Sequence, residues 1–213
     1  MNETIRHLGL PLSEAEARAL PLGALVTVTG LVFTGRSRFY IRAVEQGLLP
    51  PLDFQQINAF FHVGPVMRKQ DGDWHIVSIE PTSSIRFERY SPEVIRRLGL
   101  RVLIGKTTMG VETAKALQEV GGVHLSKVGL CGNKLATQVR KVCGHYFLEE
   151  LGVTETTWVF EVERFGPFFV DMDAQGNNYF TILNAEVEKR RSLVDAKLGI
   201  PANFSLTSVS AES

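Results

Sequence analysis

Between Arg101 and Leu125 the chain alternates an apolar run, RVLIG, a helical stretch, VETAKALQEV, a Gly121-Gly122 break and a second apolar run, VHL. A strand, a helix and a strand in that order imply parallel strands joined by a right-handed crossover. This unit commits the chain to an α/β fold in which helices pack on a sheet around one core. The surrounding segments add strands of their own, so a mixed sheet with flanking helices is expected.

Ser13 with Glu16 three residues on forms a capping box that opens a helix through EAEARAL. ALVTVTGLVF, residues 24–33, is rich in β-branched residues and broken by Gly30, so two short strands or one bent strand fit it. A helix is expected from Ser37 to Gln46, before Pro50 and Pro51 break the chain. NAFFHV (58–63) reads as a buried strand, and Trp74 to Ile79 as a strand following the KQDGD turn, which makes a hairpin. Ser91-Pro92-Glu93 opens a helix with serine as N-cap, ending near Gly99. Further helices are expected near Asn133 to Lys141 and from Asn184 to Leu198, with strands at 156–165 and 167–173 and a turn at AQGNN. Residues 1–200 are expected to form one domain and 201–213 a loose polar tail.

Lysine plus arginine matches aspartate plus glutamate at 23 each. That balance argues against nucleic acid or an anionic membrane as the main partner. No apolar run approaches the ~20 residues of a membrane span. The opening MNETIRHLGLPLSEAEARAL lacks the apolar core of a signal peptide. A cytoplasmic protein with Cys131 and Cys143 reduced is the expectation. Two cysteines cannot build an iron–sulfur cluster, which takes three or four. His62, His75, His124 and His145 show no metal-ligand spacing, and each reads as structural or exposed. There is no GxSxG, and no GxGxxG after a strand. IGKTTMG ends like a P-loop, but Gly99 and Gly105 are separated by five residues rather than four, most of them strand.

Three segments place cations and hydroxyls where strands should end: FTGRSRF around Arg36, EPTSSIR from Glu80 to Arg86, and IGKTTMG around Lys106. Pro81 holds Glu80 extended, so a loop begins there. If it then turns helically, Thr82 and Arg86 share a face. Lys106 lies at the carboxyl end of a buried strand, where open α/β sheets collect ligands, and before a helix N-terminus, which favours anions. Plain readings stand beside these: a solvated lysine, N-capping by a hydroxyl, and surface charges at Arg36 and Arg38. Two arginines, a lysine and a threonine suit a small molecule with two carboxylates, because guanidinium grips a carboxylate through paired hydrogen bonds. Nothing in the set could ionise a leaving hydroxyl, so it reads as one half of an active site.

From about Leu10 to Phe180 the chain resembles the β subunit, or carboxy-terminal domain, of the iron–sulfur hydro-lyases, class I fumarase and L-tartrate dehydratase. LPLSEAEARALPLGALVTVTGLVFTGR, FHVGPVMRK, PTSSIR, IGKTTMG and WVFEVERFGPFFVDMDAQGNNYF carry the likeness. The resemblance implies a swivelling β/β/α-type domain and a heteromeric enzyme, such as a dimer of heterodimers. It also implies a [4Fe–4S] cluster held by the partner α subunit and not by this chain. By the same likeness Arg36, Arg86 and Lys106 would bind substrate carboxylates, and Thr82 would be the catalytic base. The implied reaction is reversible dehydration of a hydroxy-dicarboxylate, L-malate to fumarate or tartrate to oxaloacetate. Glu80 stands where the family carries glycine, and Thr107-Thr108 where it carries a glycine pair. Those departures fit an altered substrate, or a weakened paralogue that binds dicarboxylates or serves assembly.

Overall fold

Strand β1 (Arg6–Gly9) lies parallel against β2 (Leu25–Gly35), and the short helix α1 (Glu14–Arg18) fills the connection. The computed structural model describes residues 5–127, 129 and 131–201. α1 starts as its sequence dictates: the Ser13 hydroxyl accepts from the Glu16 N–H, and the Glu16 carboxylate accepts from the Ser13 N–H. β1 had no signal of its own in RHLG; it exists because β2 offers an edge to pair with.

After β2 the chain forms α2 (Ser37–Tyr40), whose last turn widens into a π-helical turn over Ile41–Glu45. The buried strand β3 (Ala59–His62) and the hairpin β4 (Val66–Gln70) and β5 (Asp73–Ser78) follow as expected. Asp71 and Gly72 turn the hairpin with positive φ, 53° and 91°. A 3₁₀ turn (Ser84–Phe87) leads into α3 (Ser91–Leu98), which Gly99 ends at φ 63°. Ser91 is the first helical residue here and not the N-cap; its hydroxyl donates to Tyr40 instead.

β6 (Val102–Gly105), α4 (Val111–Val120) and β7 (Val123–Lys127) form the β-α-β unit, with β6 and β7 parallel. The helix expected near Asn133 to Lys141 stops early, as α5 (Gly132–Ala136). The residues after it pair as strand β8 (Val139–Tyr146), and the edge of the next strand outcompetes helix propensity. Past the short helix α6 (Leu148–Leu151), the two strands expected at 156–165 and 167–173 are one, β9 (Thr157–Met172). Arg164 and Gly166 bend it with positive φ, 47° and 131°, without ending its pairing.

The sheet runs β1-β2-β3-β6-β7-β9-β8, and β9 also pairs antiparallel with β2. Strands β2, β3, β6, β7 and β9 therefore close into a ring. Residues alternate along each strand between its two faces. Val28, Phe61, Ile104, Leu125, Phe160 and Phe168 share the inner core, with side chains of α1 and α5. Phe33, Phe60 and Leu103 face outward and pack with Tyr40, Ile95 and Leu117 from the helices. The expected mixed α/β architecture with flanking helices is what forms.

By its own contacts the chain divides at Asn178/Tyr179 into two compact units. The second carries α7 (Tyr179–Leu198), which starts before the expected Asn184 and buries none of its residues. Ion pairs such as Lys189–Glu186 and Arg191–Asp195 run along it. The expected polar tail from residue 202 onward lies outside the described residues.

Phe61 sits fully buried in the ring, its side chain edge-on to Phe165 at 5.5 Å. Phe61→Ala is expected to cost about 3–5 kcal/mol in urea unfolding. Val66→Ala, on the exposed hairpin, should stay within about 0.5 kcal/mol.

Candidate functional site at the strand ends

The parallel strands β2, β3, β6 and β7 end level with one another. Gly35 pairs with His62, Phe61 with Ile104, and Gly105 with Ser126. Arg36 and Lys106 directly follow the last residues of β2 and β6, and Lys127 closes β7. With neighbouring strands ~4.8 Å apart, Arg36 and Lys106 leave the sheet on either side of β3, about 10 Å from each other.

The segment carrying Thr82 fills the place between them. Val63, just past β3, bridges Pro81, and the Thr82 N–H donates to the His62 carbonyl at 2.8 Å. The following 3₁₀ turn brings Arg86 back over Thr82, and its Nη2 donates to Thr82 Oγ1 at 2.7 Å. The expected shared face is therefore a direct contact. A guanidinium donating to a hydroxyl oxygen favours negative charge on that oxygen. The Ser84 N–H donates to Thr107 Oγ1 at 3.2 Å, which ties this turn to the loop that presents Lys106. Thr108 accepts from the Asn178 amide at 2.9 Å. Both threonines of IGKTTMG thus hold the edge loops together.

Arg36 is less open. Its Nε lies 3.7 Å from Glu155 Oε1, and its stem crosses Gly64, where a Cβ would stand 2.8 Å from Arg36 Cδ and 2.5 Å from the Thr154 carbonyl. Only glycine lets the arginine pass there. Arg38 is exposed, and its backbone N–H donates to Glu155. Arg86 and Lys106 are exposed and form no salt bridge among the described residues.

One expectation changes. The α4 N-terminus is not open to an anion, because Glu88 takes it: its carboxylate accepts from the Gly110 N–H at 2.7 Å and the Thr113 N–H at 3.0 Å. A fixed carboxylate so close satisfies the helix dipole internally. Glu80, which stands where the family carries glycine, is paired with Lys127.

Sequence reasoning passed over the buried polar groups behind this edge. His62 is fully buried; its Nε2 lies 2.6 Å from the Tyr40 hydroxyl and its Nδ1 2.9 Å from Ser84 Oγ. Ser91 Oγ donates to Tyr40 at 2.9 Å. Burial, with His124 nearby, holds the His62 imidazole well below its usual value, so it is neutral. Burial likewise pushes the Tyr40 phenol up. Their sequence signal was a lone histidine in NAFFHV and another in VHL, polar interruptions of buried strands.

Cys131 and Cys143 are free and exposed. Among the described residues no group of three or more His, Cys, Asp or Glu side chains is placed to hold a metal ion. Cys131 and Cys143 alone fall short of the three or four cysteines that an iron–sulfur cluster takes. No described helix is long and apolar enough to cross a membrane.

Four parallel strands closed into a ring by the antiparallel β9, with basic residues after or at the parallel strands' carboxyl ends, define a mixed α/β protein. The chain belongs to the fumarase C-terminus family, whose model matches residues 2–183. It is 33% identical over 187 residues to a provisionally named L(+)-tartrate dehydratase subunit β of Methanocaldococcus jannaschii, covering 86% of this chain and 95% of that one. It is also 33% identical over 171 residues to the L(+)-tartrate dehydratase subunit β of Escherichia coli K12, covering 80% of this chain and 84% of that one. A provisionally named class I fumarate hydratase of Geobacillus stearothermophilus is 34% identical over 183 residues, 85% of this chain and 34% of the longer protein.

The neutral His62 has a consequence for stability. In the unfolded chain its imidazole takes a proton near pH 6.5, but in the folded chain only well below that. Stability is therefore undiminished above pH 6.5 and falls as pH drops below it, by up to about 1.4 kcal/mol per pH unit for this one proton. Urea unfolding from pH 7.5 to 5 should show that slope, and His62→Gln should flatten it.

Proposed function

We propose that this chain is the β subunit of a heteromeric [4Fe–4S] hydro-lyase that interconverts a hydroxy-dicarboxylate and its dehydrated partner. L-malate/fumarate and tartrate/oxaloacetate are the leading pairs. The observation that carries the reading is the 2.7 Å contact between Arg86 and Thr82 at the level strand ends. It puts a candidate base and a carboxylate-binding cation in one unit. The relatives' names supply the reaction class.

In this reading Arg36, Arg86 and Lys106 hold the two substrate carboxylates, and Thr82 takes the carbon-bound proton. A proton next to a carboxylate is barely acidic, so charge building on that carboxylate needs fixed cations. Threonine is a poor base alone; the Arg86 guanidinium at its oxygen lowers the cost of the anionic form. Departure of the hydroxyl is left to the α subunit, whose own side chains hold the cluster. The Glu80–Lys127 pair supports an active site over a weakened paralogue, because Glu80 is neutralised at β7 and not left to repel substrate.

The test is reconstitution. The chain alone is expected to be inactive on malate, fumarate and tartrate, and an anaerobically added α subunit should confer turnover on at least one. Thr82→Val should lower kcat by about 10²–10⁴ with little change in KM. Arg86→Ala should collapse kcat/KM without changing the unfolding midpoint, and wild-type rates in that variant would refute its role. A complex that binds dicarboxylates without converting them would support the assembly reading instead.

A further inference from the structure

Of the three cations at the candidate site, Arg36 is the one with a carboxylate beside it among the described residues. Glu155 reaches it from the turn before β9, and that turn is tightly tied. The Glu155 and Thr156 N–H groups donate to the Gly152 carbonyl at 3.2 and 3.1 Å, and the Thr156 hydroxyl donates to the same oxygen at 2.8 Å. The indole of the buried Trp158 donates to the Val153 carbonyl at 2.9 Å. Glu155 is thus presented by a turn whose backbone is held on both sides of it. Its carboxylate then spans two groups at the end of β2. One oxygen accepts from the Arg38 backbone N–H at 3.0 Å, and the other lies 3.7 Å from Arg36 Nε.

The Arg36 Nε is buried and makes no hydrogen bond. About 0.8 Å closer, the Glu155 oxygen would form one of ordinary length. The two side chains are 25% and 21% exposed, so salt screens them less than a surface pair. Nothing near Arg36 in the chain aims its side chain. Arg36 is the N-cap of α2 with extended backbone, φ −135° and ψ −150°, and makes no side-chain capping bond. Its direction comes instead from distant segments: Gly64, which leaves room for the stem, and Glu155 at the Nε. A guanidinium carries one N–H on Nε and two on each Nη, in a planar fork. With Glu155 on the Nε side, the Nη donors are the ones left for a second carboxylate.

We infer that Glu155 is a positioning residue for Arg36: it holds the Nε side of the guanidinium and leaves the two Nη nitrogens as a fixed fork for a substrate carboxylate. This role rests on the proposed reading of Arg36 as a carboxylate-binding residue. Glu155 acts through Arg36 and touches no substrate itself. Orientation matters here because paired hydrogen bonds to a carboxylate need the planar fork in one place. Charge alone works in the opposite direction. A carboxylate beside Arg36 weakens its attraction for an anion, so on charge alone removing Glu155 would tighten substrate binding. Positioning requires that its removal loosen binding.

Two variants separate these effects. In the complex with the α subunit, Glu155→Ala should raise KM about 10-fold or more with kcat within about 2-fold of wild type. Glu155→Gln keeps an oxygen at the same reach and should recover most of that loss. The alanine effect should vanish when Arg36→Ala is already present. A lower KM in both variants, an unchanged KM in Glu155→Ala, or a full alanine effect without Arg36 would each overturn the role. If Glu155→Ala does not fold, Glu155→Ser removes the same carboxylate and carries the same readout. NMR of the isolated full chain reads the contact without any reaction: Glu155→Ala should shift the Arg36 Nε–H signal and speed its exchange with solvent. A signal indifferent to that change would also overturn the role. A wild-type complex that turns over no dicarboxylate would refute the proposed reaction, and calorimetric binding of succinate to it would then carry the same comparison of variants. Succinate that failed to bind the wild-type complex would overturn the role of Glu155 together with that of Arg36.

Discussion

The antiparallel pairing of β9 with β2 along one edge and with β7 along the other fixes where four parallel strands end, and every side chain of the candidate site takes its place from those ends. This 16-residue strand pairs with β2, β7 and β8, and the positive φ at Arg164 and Gly166 bends it between the stretch facing β8 and the stretch facing β7. Closing the ring buries Phe61, Phe160, Phe165 and Phe168 together. That burial sets the register, because a one-residue slip would turn each of these rings outward. The bulge that keeps β9 in register with β7 also delivers Asp171 to His124. Core packing and the buried polar network therefore share one cause.

Charge at the edge is managed by pairing. Glu88 satisfies the α4 N-terminus, Glu80 answers Lys127, and Glu155 stands against Arg36 at 3.7 Å. These contacts are partly buried. Their effect is to decide which cations at the edge remain without a carboxylate partner. Among the described residues Arg86 and Lys106 are without a salt bridge, on neighbouring loops joined by the Ser84–Thr107 bond. At Arg36, by contrast, the Glu155 carboxylate already stands beside the guanidinium.

Behind that charged rim lies a layer in which hydroxyls and imidazoles replace apolar packing. Ser91, Tyr40, His62 and Ser84 satisfy one another in sequence. Such a network is costly when incomplete and rigid when complete. It holds the turn that carries Thr82 and Arg86 from beneath, much as the His62 carbonyl holds it from the side. Thr82 is thus placed by backbone, by cation and by a buried chain of hydrogen bonds at once.

Local chemistry was enough to fix the α1 capping box, the turn at Asp71-Gly72, the β-α-β unit and the position of Lys106 at a strand end, because each depends on near neighbours in the chain. The direct Thr82–Arg86 contact was legible for the same reason: four residues on a helical turn meet. Other features needed the third dimension. RHLG became a strand only because β2 had an open edge, and the residues after Ala136 became β8 only because β9 was there to pair. Ser91 gave up its capping role to reach Tyr40, 51 residues away. His124 gained its carboxylate partner from 47 residues further along. Contacts between distant segments follow from how a closed sheet brings strand ends together, and no local pattern encodes that.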